Sequence, residues 1–287
     1  MATEQMNIQW YPGHMTKTRR QIEADLKQVD AVCEIVDARI PFASRNPDID
    51  AICGDKPRIV VLNRMDLADP EATKRWVAYF KNKGMAAVPT DCKSRKGIND
   101  FQPAVRSVLK DKIARNAAKG MNCPLRVMIV GIPNVGKSTL INQISGRKGA
   151  KAENRPGVTR GKQWVTVDSS LLLLDTPGIL WPKFEDPEVG MMLAYTGAVK
   201  DGILDVEELA CHLMGVLHRR YPQALKDRYG LEAEEGTASY ELLEMAGRKR
   251  GYLVSGGEIN TERMAKVLLD EYRSGKLGRI TFEEPTE

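Results

Sequence analysis

Short apolar runs alternate with amphipathic stretches through the first two thirds of the chain. Residues 31–37 (Ala-Val-Cys-Glu-Ile-Val-Asp), 58–62, 86–89, 125–130, 163–167 and 171–174 have the length and apolar content of buried strands. The stretches between them carry helical patterns. Residues 70–84 open on Pro and an acid and close on Gly. Residues 98–119 read as one long amphipathic helix, with Ile98, Phe101, Val105, Val108, Leu109 and Ile113 on one face. A further helix fits residues 137–146. This alternation predicts an α/β fold, a mostly parallel sheet with helices on both faces.

After Pro182 the strand runs stop and helical patterns dominate. Asp205 caps a helix, with Glu208 three residues on, and Val206, Leu209, Leu213, Val216 and Leu217 form its apolar face. Further helices fit residues 241–249 and 261–274, with Gly256-Gly257 as a turn before the second. The expected organisation is an α/β domain over residues 1–184, with an N-terminal extension over about 1–25, then an all-helical domain over 185–287.

Charge sharpens this division. The net charge is +5, but residues 1–184 carry +12 and residues 185–287 carry −7. Two clusters, residues 106–126 and 147–162, each hold six basic residues and one acid. Such a balance attracts polyanions, RNA first, although a solvated helix face gives the same local pattern. No apolar run approaches the roughly 20 residues that cross a bilayer, so no membrane partner is expected. Residues 1–9 lack a signal-peptide core. The five cysteines form no C-x-x-C pair, which suits a reducing, cytoplasmic setting.

The candidate chemistry lies in three motifs. Gly131-Ile132-Pro133-Asn134-Val135-Gly136-Lys137-Ser138 fits G-x-x-x-x-G-K-[ST] and sits between a strand and a helix, as a phosphate loop requires. Glycines at 131 and 136 let backbone N–H groups, through Val135, Gly136 and the following Thr139, curl around phosphates. Lys137 reaches the terminal phosphates and Ser138 offers an oxygen to Mg²⁺. Asp175-Thr176-Pro177-Gly178 fits D-x-x-G, 37 residues beyond Ser138 and after an apolar strand. There Asp175 serves Mg²⁺ and the Gly178 N–H senses a γ-phosphate. Thr159 lies between these motifs, where a second Mg²⁺ ligand is expected.

Asn63-Arg64-Met65-Asp66 fits the guanine-reading N-K-x-D pattern, with Arg in the place of Lys. A carboxylate at Asp66 accepts from both N1–H and the 2-amino group of guanine, a donor pair that adenine lacks. Asn63 is expected to tie loops together, and the Arg64 stem to lie along the base. Asp91-Cys92-Lys93 stands where an S-A-K-like loop is expected, its Cys92 amide facing the guanine oxygen. GTP and GDP are therefore the expected ligands. The reader comes before the phosphate loop, the reverse of the ordinary order.

That rotated order resembles the circularly permuted GTPases. Trp10-Tyr11-Pro12-Gly13-His14-Met15, the run from Asp37-Ala38-Arg39-Ile40-Pro41 to Ser44-Arg45-Asn46-Pro47, and Asp175 onward to Pro182 resemble the ribosome biogenesis GTPase A family. The resemblance covers nearly the whole chain. It implies a circularly permuted P-loop GTPase domain, late maturation of the large (50S) ribosomal subunit, contact with ribosomal RNA and ribosomal proteins, and hydrolysis stimulated by the subunit. A monomer is expected, and DNA is not an expected partner.

Ile179 and Leu180 follow Gly178, where many GTPases hold a water-orienting Gln, so unaided turnover should be slow. His14 can orient water near neutral pH, and the resemblance implies a catalytic role for it; an RNA-contacting or structural His is the alternative. Asn134 is a candidate K⁺ ligand, because related GTPases with Asn there use K⁺. Other readings stay open: a nucleotide-gated scaffold that hydrolyses little, or a permuted GTPase acting on the small ribosomal subunit or another RNA. The absence of a Cys/His zinc cluster argues against the small-subunit type. The D-x-x-G element also leads within a few residues into the helical part, so loss of γ-phosphate is expected to reposition residues 190–287.

Overall fold

The computed structural model describes residue 20 and residues 22–146, 163–178, 186–199 and 205–286. These form two compact units. The first runs to Pro187 and takes in the residues from Thr281 onward; the second spans Glu188 to Ile280. Segment 281–286, which the sequence pattern leaves with the helical part, thus groups with the α/β unit.

Among the described residues the first unit has one six-stranded sheet. Its strands are β1 (Ala31–Asp37), β2 (Arg58–Asn63), β3 (Ala86–Pro89), β4 (Leu125–Gly131), β5 (Gln163–Asp168) and β6 (Leu171–Asp175). Their order is β3-β2-β1-β4-β6-β5, and only β5 runs antiparallel. β1 lies at the centre, in register with β2 from Val32↔Arg58 to Asp37↔Asn63 and with β4 from Ala31↔Val127 to Ile35↔Gly131. All seven β1 residues are buried, as a parallel strand covered on both faces must be.

Helices α1 (Ile49–Cys53), α2 (Pro70–Asn82), α3 (Phe101–Val108), α4 (Lys110–Ala118) and α5 (Lys137–Ser145) belong to this unit. On one sheet face Val32, Met128, Val130 and Leu174 pack with Ile22, Leu26, Ile49 and Cys53. Val36, Val60 and Leu62 pack there with Trp76 and Phe80 of α2. α2 starts where Asp69 accepts from the Ala72 amide and Pro70 sets the first turn. The single helix expected over 98–119 is instead a short 3₁₀ turn (Ile98–Asp100), then α3 and α4, broken at Leu109. The reason is packing: the apolar stripe ends at buried Leu109, and no α4 residue is buried.

The second unit is helical: α6 (Pro187–Tyr195, entering from the first unit), α7 (Val206–Arg220), α8 (Pro222–Tyr229), α9 (Ser239–Lys249) and α10 (Thr261–Arg273). Asp205 caps α7 by accepting from the amides of Glu207 and Glu208, and Asn260 caps α10 through the Arg263 amide. Leu209, Leu213, Leu242, Leu243, Met264 and Leu268 are fully buried between these helices. A buried carboxylate, Glu271, holds Arg228, Arg250 and the Tyr229 hydroxyl together. Among the described residues no helix is long and apolar enough to cross a membrane.

Candidate functional site

The carboxyl ends of parallel strands collect the loops of an α/β sheet and are where its ligands bind. Here the ends of β1, β2, β3, β4 and β6 bring the sequence motifs together. The phosphate loop leaves β4 at Gly131, whose φ of 155° and close approach to the Ile35 carbonyl leave no room for a side chain: a Cβ would sit 2.6 Å from that oxygen. Gly136 is as constrained, at φ 106°, since a Cβ there would stand 2.3 Å from Asn63 Nδ2. Asn134 also takes a left-handed conformation, φ 59°. The loop is thereby curled, and Lys137 and Ser138 open α5 at its end, with Thr139 in the same first turn.

Lys137 is 7% exposed and donates from Nζ to the carbonyls of Gly131 at 3.0 Å and Ile132 at 2.8 Å. Burial pushes its ammonium down to about 8, against the opposing pull of Asp175. Burial raises the Asp175 carboxyl to about 6, against the opposing pull of Lys137. Asp175 is 2% exposed and its Oδ1 accepts no hydrogen bond, although it is enclosed. A buried carboxylate oxygen of that kind suits a cation, so the residue fits the Mg²⁺ expected of it. Beside it Thr176 Oγ1 donates to the Ile129 carbonyl at 2.7 Å, pinning the D-x-x-G segment to β4. Gly178 lies so close to the phosphate loop that a Cβ would come within 2.9 Å of both Lys137 Nζ and Pro133 Cα. The γ-phosphate sensor expected at 178 is therefore beside the lysine expected to hold that phosphate.

Asn63 closes the other end. Its Nδ2 donates to the Val135 carbonyl at 2.7 Å, and its Oδ1 accepts from the Cys92 amide at 3.2 Å and from Thr90 Oγ1 at 3.4 Å. One buried amide thus joins the phosphate loop to the loop after β3. The Cys92 amide, expected to face the guanine oxygen, donates to Asn63 instead. Asp91 makes a local turn by accepting from the Lys93 amide at 2.8 Å; burial opposes its charge, but the Ser94 hydroxyl and then the Lys93 amide hold its carboxyl below the usual range.

Arg64, expected to lie along the base, has φ 63° and braces two loops: Nη2 donates to the Asn134 carbonyl at 2.6 Å and Nη1 lies 3.5 Å from Asp37 Oδ2. Asp66 sits partly exposed on the same turn, near enough for its charge to act on the Cys92 thiol.

Beneath these loops lies a set of buried charges in two clusters, around Asp37 and around Glu34. Asp37 is 2% exposed and pairs with Arg39 through Nε at 2.9 Å and Nη2 at 2.7 Å. Burial opposes its charge, but Arg39 and then Arg64 hold its carboxyl below the usual range. Three residues earlier on β1, Glu34 binds Arg45 at 3.0 Å and Arg58 at 2.8 Å, and Asp50 binds the same two arginines. The sequence signal was present in the two acids inside the apolar run 31–37, since buried carboxylates require partners.

The structure therefore gathers Asn63, Arg64, Asp66, Asp91, Cys92, Asn134, Val135, Gly136, Lys137, Ser138, Thr139, Asp175 and Gly178 around one set of strand ends. His14, Thr159 and Ile179 lie outside the described residues.

Residues 126–238 match a family model described as 50S ribosome-binding GTPase. That match begins with β4, so Asn63 to Asp66 precede it, in keeping with the rotated motif order. Ribosome biogenesis GTPase A of Bacillus cereus is 48% identical over 283 residues, covering 98% of this chain and 95% of that protein. The protein of the same name from Thermotoga maritima is 34% identical over 280 residues, covering 98% and 95%. Mitochondrial ribosome-associated GTPase 1 of mouse is 34% identical over 294 residues, covering 96% and 89%. Among solved structures, GDP-bound YlqF superposes with a TM-score of 0.64 at 30% identity, covering 93% of this chain and all of the other.

Proposed function

This chain belongs to the ribosome biogenesis GTPase A family, and from that premise we propose that it matures the large (50S) ribosomal subunit and that the subunit stimulates its GTP hydrolysis. It is a GTPase. The observation that supports the reading is the approach of Gly178 to Lys137 and Pro133, the proximity that a switch element and a phosphate loop serving one nucleotide require.

In this reading Lys137 leaves the carbonyls of Gly131 and Ile132 for the β- and γ-phosphates, where its charge offsets the charge that develops on transfer. Asp175, Ser138 and Thr159 would hold Mg²⁺, which would supply positive charge to offset that of the phosphates. Asp66 reads guanine, with Arg64 along the base and the loop of Asp91 and Cys92 at its edge. Ile179 and Leu180 cannot hold a water, so His14 is assigned the water-orienting role and Asn134 the role of K⁺ ligand. The +12 balance of residues 1–184 supports phosphate-dominated contact with ribosomal RNA, with basic side chains at Arg219-Arg220 and Arg248-Lys249-Arg250 adding to it from the helical unit. Ribosomal proteins are further contacts; the working form is a cytoplasmic monomer.

GTP turnover measured with and without large subunits, in K⁺ and in Na⁺, tests this. Stimulation by the subunit, larger in K⁺, is expected. Flat, slow turnover under all four conditions would instead favour a nucleotide-gated scaffold, the reading that Ile179 keeps in play. His14→Ala with normal stimulated turnover removes His14 from catalysis. The proposed switch of residues 190–287 fails if the GTP-analogue and GDP forms bind the large subunit equally well.

A further inference from the structure

Segment 281–286 follows the helical unit in sequence, folds with the first unit and adopts no helix or strand, yet it is densely bonded. Thr281 Oγ1 accepts from the Asp69 amide at 3.0 Å and donates to the Ala38 carbonyl at 3.4 Å. The Phe282 amide donates to the Arg39 carbonyl at 2.8 Å. The Glu283 carboxylate accepts from the amides of Phe42 at 2.6 Å and Ala43 at 2.9 Å, and its carbonyl accepts from Trp76 Nε1 at 3.1 Å. Glu284 forms a two-pronged pair with Arg75, at 2.8 and 2.6 Å. Thr281 is 1% exposed and Phe282 6%, so the segment is seated and not merely draped over the surface.

The two loops it joins are those leaving β1 and β2, the guanine end of the site. The turn that carries Asp66 is held on one side by Arg64 on the Asn134 carbonyl and by the Met65 amide on the Thr90 carbonyl. On its far side it is held by the Asp69 amide on Thr281. The other loop carries Arg39, which fixes Asp37, which in turn lies against Arg64. Both supports of the base reader thus converge on residues more than 200 positions later in the chain.

We propose that Thr281 and Glu283 are positioning residues for guanine recognition, holding Asp66 where it can accept from both guanine donors. The inference rests on Asp66 being the base reader. It makes the strength of guanine binding depend on the segment through which the helical unit rejoins the GTPase unit. Anything that shifts that segment would therefore loosen nucleotide at the base, while the D-x-x-G element answers to the phosphates at the other end.

The test compares GDP with IDP, whose hypoxanthine lacks the 2-amino group, by competition binding to the full chain. Thr281→Val should weaken GDP roughly fivefold to tenfold, the scale of one ordinary hydrogen bond, and weaken IDP less, so the GDP/IDP preference falls. Thr281→Ser should restore that preference. Glu283→Gln should lower it in the same direction and guards against poor folding of the first variant, while Glu284→Gln, on the exposed rim, should leave it unchanged. A preference unaltered in both Thr281→Val and Glu283→Gln overturns the proposal, as does an equal loss for both nucleotides, the mark of general destabilisation. Asp66→Asn separates the underlying reading: that variant should favour XDP over GDP, and if it does not, Asp66 is not the base reader, whatever the Thr281 variants do.

Discussion

At the guanine end of the site nearly every polar group has a protein partner: Asn63 satisfies Val135, Cys92 and Thr90, and Arg64 satisfies Asn134 and Asp37. At the phosphate end, in contrast, Lys137 is buried with its charge disfavoured, and Asp175 is buried with an oxygen that accepts nothing. One end is a lattice of polar groups already paired within the protein. The other stores unfavourable desolvation that phosphate and Mg²⁺ can relieve. Preorganisation serves selectivity at the first end; electrostatic discomfort serves response to ligand at the second.

Substitutions at the two ends should therefore separate function from stability in opposite ways. Lys137→Met should lower GTP turnover by about 10²–10³-fold, the cost of removing a positioned charge, with no fall in the melting temperature of the nucleotide-free protein at pH 7. A drop in both would erase the contrast. Asn63→Ala should do the reverse in emphasis, destabilising the nucleotide-free protein by about 2–3 kcal/mol as the Val135 carbonyl and Cys92 amide lose their buried partner. Chemical denaturation reads this directly.

A pH series sharpens the phosphate end. The folded-state pKa of Asp175 is raised from 3.8 to about 6, so the native state binds more protons than the unfolded one in that window, and nucleotide-free stability should fall by about 1–3 kcal/mol as pH rises through it. The pKa of Lys137 is lowered from 10.5 to about 8, so the unfolded state binds more protons between those values and stability should rise with pH there. Asp175→Asn should abolish the acid-side slope alone, and a slope that survives the substitution assigns it elsewhere. The smallest effect is expected of Arg64→Lys: an ammonium keeps the contact with the Asn134 carbonyl but cannot also reach Asp37, and GDP affinity should change by roughly twofold to threefold. A larger loss would show that the Asp37 contact matters more than its 3.5 Å separation suggests.

Much of this architecture was legible because its signals are local. Each of the six apolar runs is a strand, to within about a residue; burial on both faces leaves the central strands β1 and β2 little choice of composition, while the edge strands β3 and β5 are less buried. The phosphate loop was readable because Gly131 and Gly136 are required by contacts with Ile35 and Asn63 that only a bare backbone allows. The break at Leu109 was missed because amphipathic periodicity continues through Ile113 after the surface it would pack against has ended. The helices over 49–53, 187–195 and 222–229 carry weaker signals: the first is a single turn, the second is apolar without a polar face and follows the Pro- and acid-containing stretch 183–187, and the third begins at Pro among polar residues. Long-range partners were invisible for a different reason. Nothing in the composition of segment 281–286 announces Asp69 or Ala43, and nothing in Cys92 announces that Asn63 claims its amide.

The central position of β1 also has a consequence for how the protein comes off the ribosome that makes it. The guanine-reading half, β1 to β3, is translated first, and β1 then presents an open edge until β4 arrives beyond residue 125. Asn63 is made 72 residues ahead of the Val135 carbonyl it will grip, and Asp69 212 residues ahead of the Thr281 hydroxyl. A nascent chain therefore holds its N-K-x-D-like turn before its phosphate loop, and under the proposal above its grip on guanine nucleotide reaches full strength only once segment 281–284 has been translated and has folded back onto the loops after β1 and β2.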